Sequence, residues 1–73
     1  MTNYILFPTT RTFIRGMKVA EAAGIPHKVV AVPTHITHQC GMCLQMEDDA
    51  KDLDVLTAIL EYEQIGHKII SEQ

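Results

Sequence analysis

The stretch GIPHKVV, residues 24–30, shows where a helix ends and a strand begins. Gly24 can adopt the left-handed turn that ends a helix, and Ile25 can make the apolar contact that commonly follows it. Pro26 prevents the helix from continuing, because proline lacks the backbone N–H group that an interior helical position needs. A shorter version of this stretch, GHKII, occurs at residues 66–70. The two copies predict two successive units in which a helix is followed by a strand.

The patterns on either side predict six elements in the order β-α-β-β-α-β. They are a strand at Tyr4 to Phe7, a helix capped by Thr9 or Thr10, a strand at Lys28 to Val32, a strand at Met42 to Met46, a helix capped by Asp48 or Asp49 and ended by Gly66, and a strand from His67 to Ile70. This order predicts one α+β domain over residues 1–73. We expect a ferredoxin-like sandwich, in which two helices cover one face of a four-stranded antiparallel sheet.

Apolar side chains predict which face of each element is buried. The helix stripes are Phe13, Ile14, Met17 and Ala20 in the first helix and Leu53, Leu56, Ile59 and Leu60 in the second. The strands are apolar on both faces: in the first strand Ile5 and Phe7 alternate with Tyr4 and Leu6, and the second strand is similar. Because two helices cover only one face, we expect the second face to pair two copies of the chain in a homo-oligomer.

Composition excludes several classes of function. The chain has 73 residues, 47% of them hydrophobic, and a formal net charge of −3, so it offers no basic surface for nucleic acid. No apolar run approaches the roughly 18 residues of a membrane span. The start of the sequence lacks the charged and apolar regions of a signal peptide, so we expect a cytoplasmic protein with reduced thiols. No glycine-rich phosphate loop or serine-nucleophile motif occurs.

The segment HITHQCGMC, residues 35–43, holds both cysteines of the chain and two of its four histidines. The predicted topology brings this segment to the same end of the sheet as the start of the first helix. There Thr9, Thr10 and Arg11 could bind an anionic group beside Cys40. Free N–H groups at a helix N-terminus favour a thiolate, so we expect Cys40 to be an exposed, reactive thiol.

Several interpretations of this segment remain open. His35, His38, Cys40 and Cys43 could be four ligands of a zinc or copper module, although their spacing within nine residues is compressed. Cys43 could be a thiol that resolves a mixed disulfide, or an apolar residue of the third strand. Alternatively, the chain could be a small protein-interaction domain in which the cysteines are incidental.

The sequence resembles the selenium/sulfur carrier-like proteins. The resemblance is carried by FPTT at residues 7–10, EAAGIPHKVVAVP at 21–33 and ITHQCGMCL at 36–44, which occupy the same places in the same order. Three features differ from the family pattern: Thr34 stands where an arginine is common, Thr37 replaces a serine, and the histidines at 35 and 38 are additional.

The resemblance implies a carrier that holds sulfur or selenium on Cys40 as a persulfide or selenosulfide. Gly41 would then let a partner protein approach the sulfur. Such a chain would be a transfer partner of donor and acceptor proteins and not a turnover enzyme, and it would need no cofactor.

Overall fold

The computed structural model describes residues 1–36, 40–47 and 50–73. Its elements are β1 (Thr2–Leu6), α1 (Thr10–Ala22), β2 (Lys28–Ala31), β3 (Met42–Met46), α2 (Ala50–Tyr62) and β4 (Lys68–Glu72). The strands form one sheet in the order β2-β3-β1-β4, and each neighbouring pair is antiparallel. The predicted α+β, ferredoxin-like architecture is therefore confirmed. The first strand begins two residues earlier than predicted, and the last strand extends to Glu72.

The sheet separates two buried clusters. The larger cluster lies on the helix side and contains Ile5, Phe7, Phe13, Leu56 and Leu60, among others. Ile5 lies in β1 and Phe7 just after it, and the other named residues come from one stripe of each helix, as predicted. Ile14 and Ile59 are exceptions, because Ile14 is 41% exposed and Ile59 is only partly buried and lies outside this cluster.

Gly16 is a buried residue of α1 that the apolar pattern of the sequence does not indicate. A Cβ atom built on Gly16 would lie 2.4 Å from Cζ of Phe7. The Phe7 ring meets the Phe13 ring edge-on, with 6.0 Å between their centroids. Glycine at position 16 therefore allows α1 to approach the aromatic pair closely.

The two helix-to-strand units have the same local structure. α2 spans residues 50–62 where α1 spans 10–22, an offset of 40 residues. After α1, Gly24 has a φ of 69° and the Ile25 N–H donates to the Ala20 carbonyl at 3.0 Å. After α2, Gln64 has a φ of 58° and the Ile65 N–H donates to the Leu60 carbonyl at 2.8 Å. Both ends form the hydrogen-bonded turn that commonly closes a helix.

The prediction that Gly66 ends the second helix is wrong. Gln64 adopts the left-handed conformation, and Gly66 follows two residues later. The predicted caps Asp48 and Asp49 lie outside the described residues. At the start of α1, Thr9 is the cap, because its hydroxyl accepts a hydrogen bond from the Thr12 backbone N–H at 3.1 Å.

Each unit also fixes a histidine. Nδ1 of His27 lies 2.8 Å from the Ile25 carbonyl oxygen, and Nδ1 of His67 lies 2.9 Å from the Ile65 carbonyl oxygen. Since a carbonyl oxygen can only accept, Nδ1 carries the proton in both rings. The repeated Ile-x-His-Lys sequence therefore encodes one turn structure twice.

Residues 32–36, which follow β2, lead onto the face of the sheet that the helices leave uncovered. Val32 and Ile36 are each 7% exposed and form the second cluster with Leu6 and Cys43. Tyr4, Val30 and Ile70 pack around this cluster and are partly buried. The second apolar face is therefore partly covered by the chain itself, a feature that the strand pattern does not reveal.

Candidate functional site at the β2–β3 connection

Three connections meet at one end of the sheet, as the topology predicts. The β1–β3 register pairs Ile5 with Leu44, so the end of β1 lies beside the start of β3. The start of β4 pairs with the same end of β1, through Leu6 and Lys68. A Cβ atom built on Gly66 would lie 3.6 Å from Cγ of Pro8, so the turn before β4 contacts the turn before α1. Cys40 precedes β3 at this end.

Cys40 is buried. Its side chain is 4% exposed and belongs to the same cluster as Phe7 and Phe13, which flank the start of α1. The prediction of a solvent-exposed Cys40 is therefore wrong for this structure. The apolar cluster at this end of the sheet explains the difference, since a cysteine behaves as a small hydrophobic residue and packs readily in such surroundings. Its role as an acceptor thiol stays a prediction.

Cys43 is fully buried on the opposite face of the sheet. It lies in the cluster with Leu6, Val32 and Ile36. Burial raises the pKa of Cys43 to about 11, and the electrostatic interaction with Cys40 adds to the increase. Cys43 is therefore a neutral thiol at physiological pH, which makes it a poor nucleophile while it is buried. Its role as a resolving thiol stays a prediction.

The two cysteines are free thiols in separate clusters, one on each side of the sheet. Gly41 lies between them in sequence and is exposed. A Cβ atom built on it would meet no atom within 4 Å. The backbone beside Cys40 is therefore reachable from solvent although the sulfur itself is covered.

The start of α1 is exposed and already capped. Thr9, Thr10 and Arg11 are all exposed. The hydroxyls of Thr9 and Thr12 lie 3.0 Å apart, and the Thr12 hydroxyl also contacts the Thr9 backbone N–H at 3.1 Å. This capping box satisfies the backbone N–H groups of Thr12 and of Thr9 itself from within the chain. Binding of an anion by Thr9, Thr10 and Arg11 stays a prediction.

The histidines of the segment 35–43 do not form a described metal site. Nε2 of His35 lies 2.7 Å from Oε2 of Glu72, at the far end of β4. His38 lies outside the described residues. Among residues 1–36, 40–47 and 50–73, no group of three or more histidine, cysteine, aspartate or glutamate side chains is placed to hold a metal ion. The proposed zinc or copper ligand set therefore gains no support here.

Glu72 and Ile36 are the site residues that sequence reasoning missed. Glu72 lies 37 positions from its partner His35. Ile36 belongs to no periodic strand or helix pattern in the sequence. Their contacts depend on the path of the connection over the sheet, and no local signal encodes that path.

A shallow cleft of about 210 Å³ lies at the opposite end of the sheet. Its lining includes His27 and Lys28 at the start of β2 and Glu47 just after β3. Because β2 and β3 are antiparallel, these residues lie at the end of the strand pair away from Cys40. The cleft is therefore separate from the cysteine site.

Fold and site together define a class: a small ferredoxin-like domain with two buried thiols where its connections meet. The chain belongs to the family described as "Putative Se/S carrier protein-like", whose sequence profile matches residues 2–72. The suspected resemblance is confirmed over almost the whole chain. Searches of curated proteins and of solved structures give no match. In the described part of the chain, neither helix has the length and hydropathy needed to cross a membrane.

Proposed function

We propose that the protein carries sulfur or selenium on Cys40 in the cytoplasm, as a transfer partner of donor and acceptor proteins and not as a turnover enzyme. The observation that carries the proposal is family membership over residues 2–72, together with a cysteine beside an exposed glycine at this end of the sheet. The pKa of about 11 for Cys43 favours Cys40 as the attacking thiol of the pair.

The loading step exchanges one sulfur–sulfur bond for another. The Cys40 thiolate attacks the outer sulfur of a donor persulfide, R–S–SH. A bond forms between the Cys40 sulfur and that outer sulfur, and the donor's S–S bond breaks. The products are Cys40–S–SH and the donor thiolate R–S⁻, so no external oxidant or reductant is needed. A selenosulfide donor would give Cys40–S–SeH by the same exchange.

Burial of Cys40 would protect a loaded persulfide, but it also requires the sulfur to become accessible to a donor. An apolar cluster around Phe7 and Phe13 would keep small thiols and water away from a loaded persulfide. The donor must reach the sulfur, however, so Cys40 has to leave this cluster during loading and unloading.

The test is intact-mass spectrometry after incubation with a cysteine desulfurase and cysteine, or with a selenocysteine lyase and selenocysteine. We expect a gain of one sulfur or one selenium atom in the wild-type chain and in Cys43→Ser, and no gain in Cys40→Ser. An equal gain in Cys40→Ser would place the cargo elsewhere, and a wild-type chain that gains no mass with either donor would overturn the proposal.

A further inference from the structure

We propose that the cleft at the start of β2 binds a small zwitterionic amino acid, which Lys28 and Glu47 hold by its two opposite charges. The cleft has a volume of about 210 Å³ and lies at the end of the sheet away from Cys40. The inference therefore goes beyond sulfur or selenium transfer, and it holds whether or not Cys40 accepts either atom.

Two opposite charges line this cleft. Lys28 is the first residue of β2 and pairs with Gln45 of β3, and Glu47 follows Gln45 by two residues. All three side chains belong to the lining. In the described part of the chain, the Lys28 ammonium and the Glu47 carboxylate form no ion pair, either with each other or with a third residue. Both charges are therefore available to one ligand that carries a negative and a positive group.

The hydrogen-bond acceptors of the cleft are held in place by the fold. The Thr2 hydroxyl donates to Oε2 of Glu47 at 3.3 Å, so Oε1 can accept from a ligand. His27 also lines the cleft, and its Nδ1–H donates to the Ile25 carbonyl oxygen at 2.8 Å. Nε2 of the neutral ring is therefore an acceptor. A ligand ammonium can donate to the carboxylate and to the ring, while the ligand carboxylate accepts from Lys28.

The second helix-to-strand unit has the same His-Lys turn but a different neighbour. Lys68 pairs with Leu6, and Pro8 follows Leu6 by two residues, in the place that Glu47 takes in the first unit. Pro8 packs on the turn, since its Cγ atom would lie 3.6 Å from a Cβ atom built on Gly66. An apolar ring therefore stands where the first unit has a carboxylate. The His-Lys sequence faces an opposite charge in the first unit and not in the second.

The size and the charges of the cleft define the class of ligand. Sites for drug-sized ligands have volumes of about 300–1,000 Å³, so this cleft of about 210 Å³ fits a smaller molecule. Glu47 would repel a dianion such as phosphate, and Lys28 would repel a divalent cation. A free α-amino acid carries one charge of each sign on neighbouring groups. Pro26 offers apolar surface to its side chain.

The test is a titration of the isotope-labelled full chain with L-alanine, followed by the backbone amide signals in NMR spectra. We expect saturable shifts at the start of β2 and the end of β3, with a Kd on the order of 1–10 mM because the cleft is shallow. Ethylamine and propionate are alanine without its carboxylate and without its amine. Each should bind about twofold to fivefold more weakly, the effect of losing one exposed charged contact.

Three variants assign the binding to the cleft. Lys28→Met keeps the aliphatic stem without the charge, and Glu47→Gln keeps the shape of the carboxylate. Each should weaken alanine binding by about twofold to fivefold. Lys68→Met, in the equivalent place of the second unit, is the matched control and should bind alanine like the wild type.

Three results would each overturn the inference. They are the absence of a saturable shift at the cleft in the wild type, binding of ethylamine or propionate as tight as that of alanine, and equal weakening by Lys68→Met and Lys28→Met. The titrations contain no sulfur or selenium donor, so their outcome is separate from that of the loading experiment on Cys40.

Discussion

Cys43 is the residue whose chemistry the fold changes most clearly. Its thiol is fully buried, and its pKa rises from an ordinary 9.0 to about 11. The folded chain therefore holds the neutral thiol at pH values where the unfolded chain has already ionised. Stability from this difference is complete below about pH 9 and is lost as the pH rises toward 11.

We predict that the free energy of unfolding falls by roughly 2 kcal/mol between about pH 8 and about pH 11 because of Cys43, at about 1.4 kcal/mol for each pKa unit. Urea unfolding across this range measures the fall. Tyrosines and lysines also titrate there, so Cys43→Ala is the control that isolates the thiol. If the free energy of unfolding fell with pH equally in the wild type and in Cys43→Ala, the prediction would be contradicted.

Gly16 provides a second prediction at the scale of single residues. A methyl group at this position would meet the Phe7 ring at 2.4 Å and 2.5 Å, and that ring is only 2% exposed. Alanine is the better helix former by about 1 kcal/mol, but overpacking a core costs typically about 1–3 kcal/mol. We expect Gly16→Ala to lower stability by about 1 kcal/mol in a denaturant titration.

Gly41→Ala is the matched control for this substitution. No atom lies within 4 Å of the Cβ position at Gly41, so its stability should change by less than about 0.5 kcal/mol. If Gly16→Ala were as stable as Gly41→Ala, the Phe7 ring would be able to move without an energetic cost. The close approach of α1 to that ring would then not contribute to stability.

At the scale of elements, the two helix ends form a natural comparison. Gly24 and Gln64 occupy equivalent places and both have positive φ, but only glycine adopts this conformation without a steric cost. We predict that Gln64→Gly raises stability by about 0.5–1 kcal/mol and that Gly24→Gln lowers it by a similar amount. Thermal unfolding of the two variants measures both changes, and shifts in the same direction would contradict the argument.

The sequence predicts best the helix ends that are determined by neighbouring residues. A cap at Thr9 or Thr10 and a helix end at Gly24 with Ile25 follow from residue type and spacing alone; the helix end is confirmed, and the structure selects Thr9 as the cap. Gln64 could not be predicted from its own type, because glutamine rarely takes positive φ. The neighbouring Gly66 offered a stronger but misleading signal. Ile65 is buried in the helix-side cluster directly after Gln64, as Ile25 is after Gly24, so the buried isoleucine marks the turn residue before it.

At the scale of the whole molecule, the site is harder to predict than the sheet. Strand order follows from element order, and it brings Cys40 to the start of α1 as expected. The burial of Cys40 does not follow, since it depends on a cluster whose members come from elements distant in the sequence. The cover that Ile36 places over Cys43 depends in the same way on the path of the connection.

The residues of the chain that cover part of the second face also affect self-association through that face. This self-association stays a prediction. Tyr4, Val30 and Ile70 remain partly buried around the cluster, while Val32 and Ile36 occupy part of the face. Four strands of about five residues present a face of only a few hundred Å², below the roughly 800 Å² per partner of stable complexes. Any dimer built on this face should therefore be weak and dependent on concentration.

Sedimentation analysis over a range of protein concentrations tests this expectation. We predict that the apparent mass of the wild type rises from one chain toward two, because a second copy would cover the remaining apolar atoms. Val30→Lys places a charge on edge strand β2 within this face and should keep the chain monomeric. Ile14→Lys adds the same charge on α1, where the side chain is already 41% exposed, and should associate like the wild type. Two results would show that this face does not pair two copies. One is a wild-type chain that stays monomeric at every concentration, and the other is an equal loss of association in Val30→Lys and Ile14→Lys.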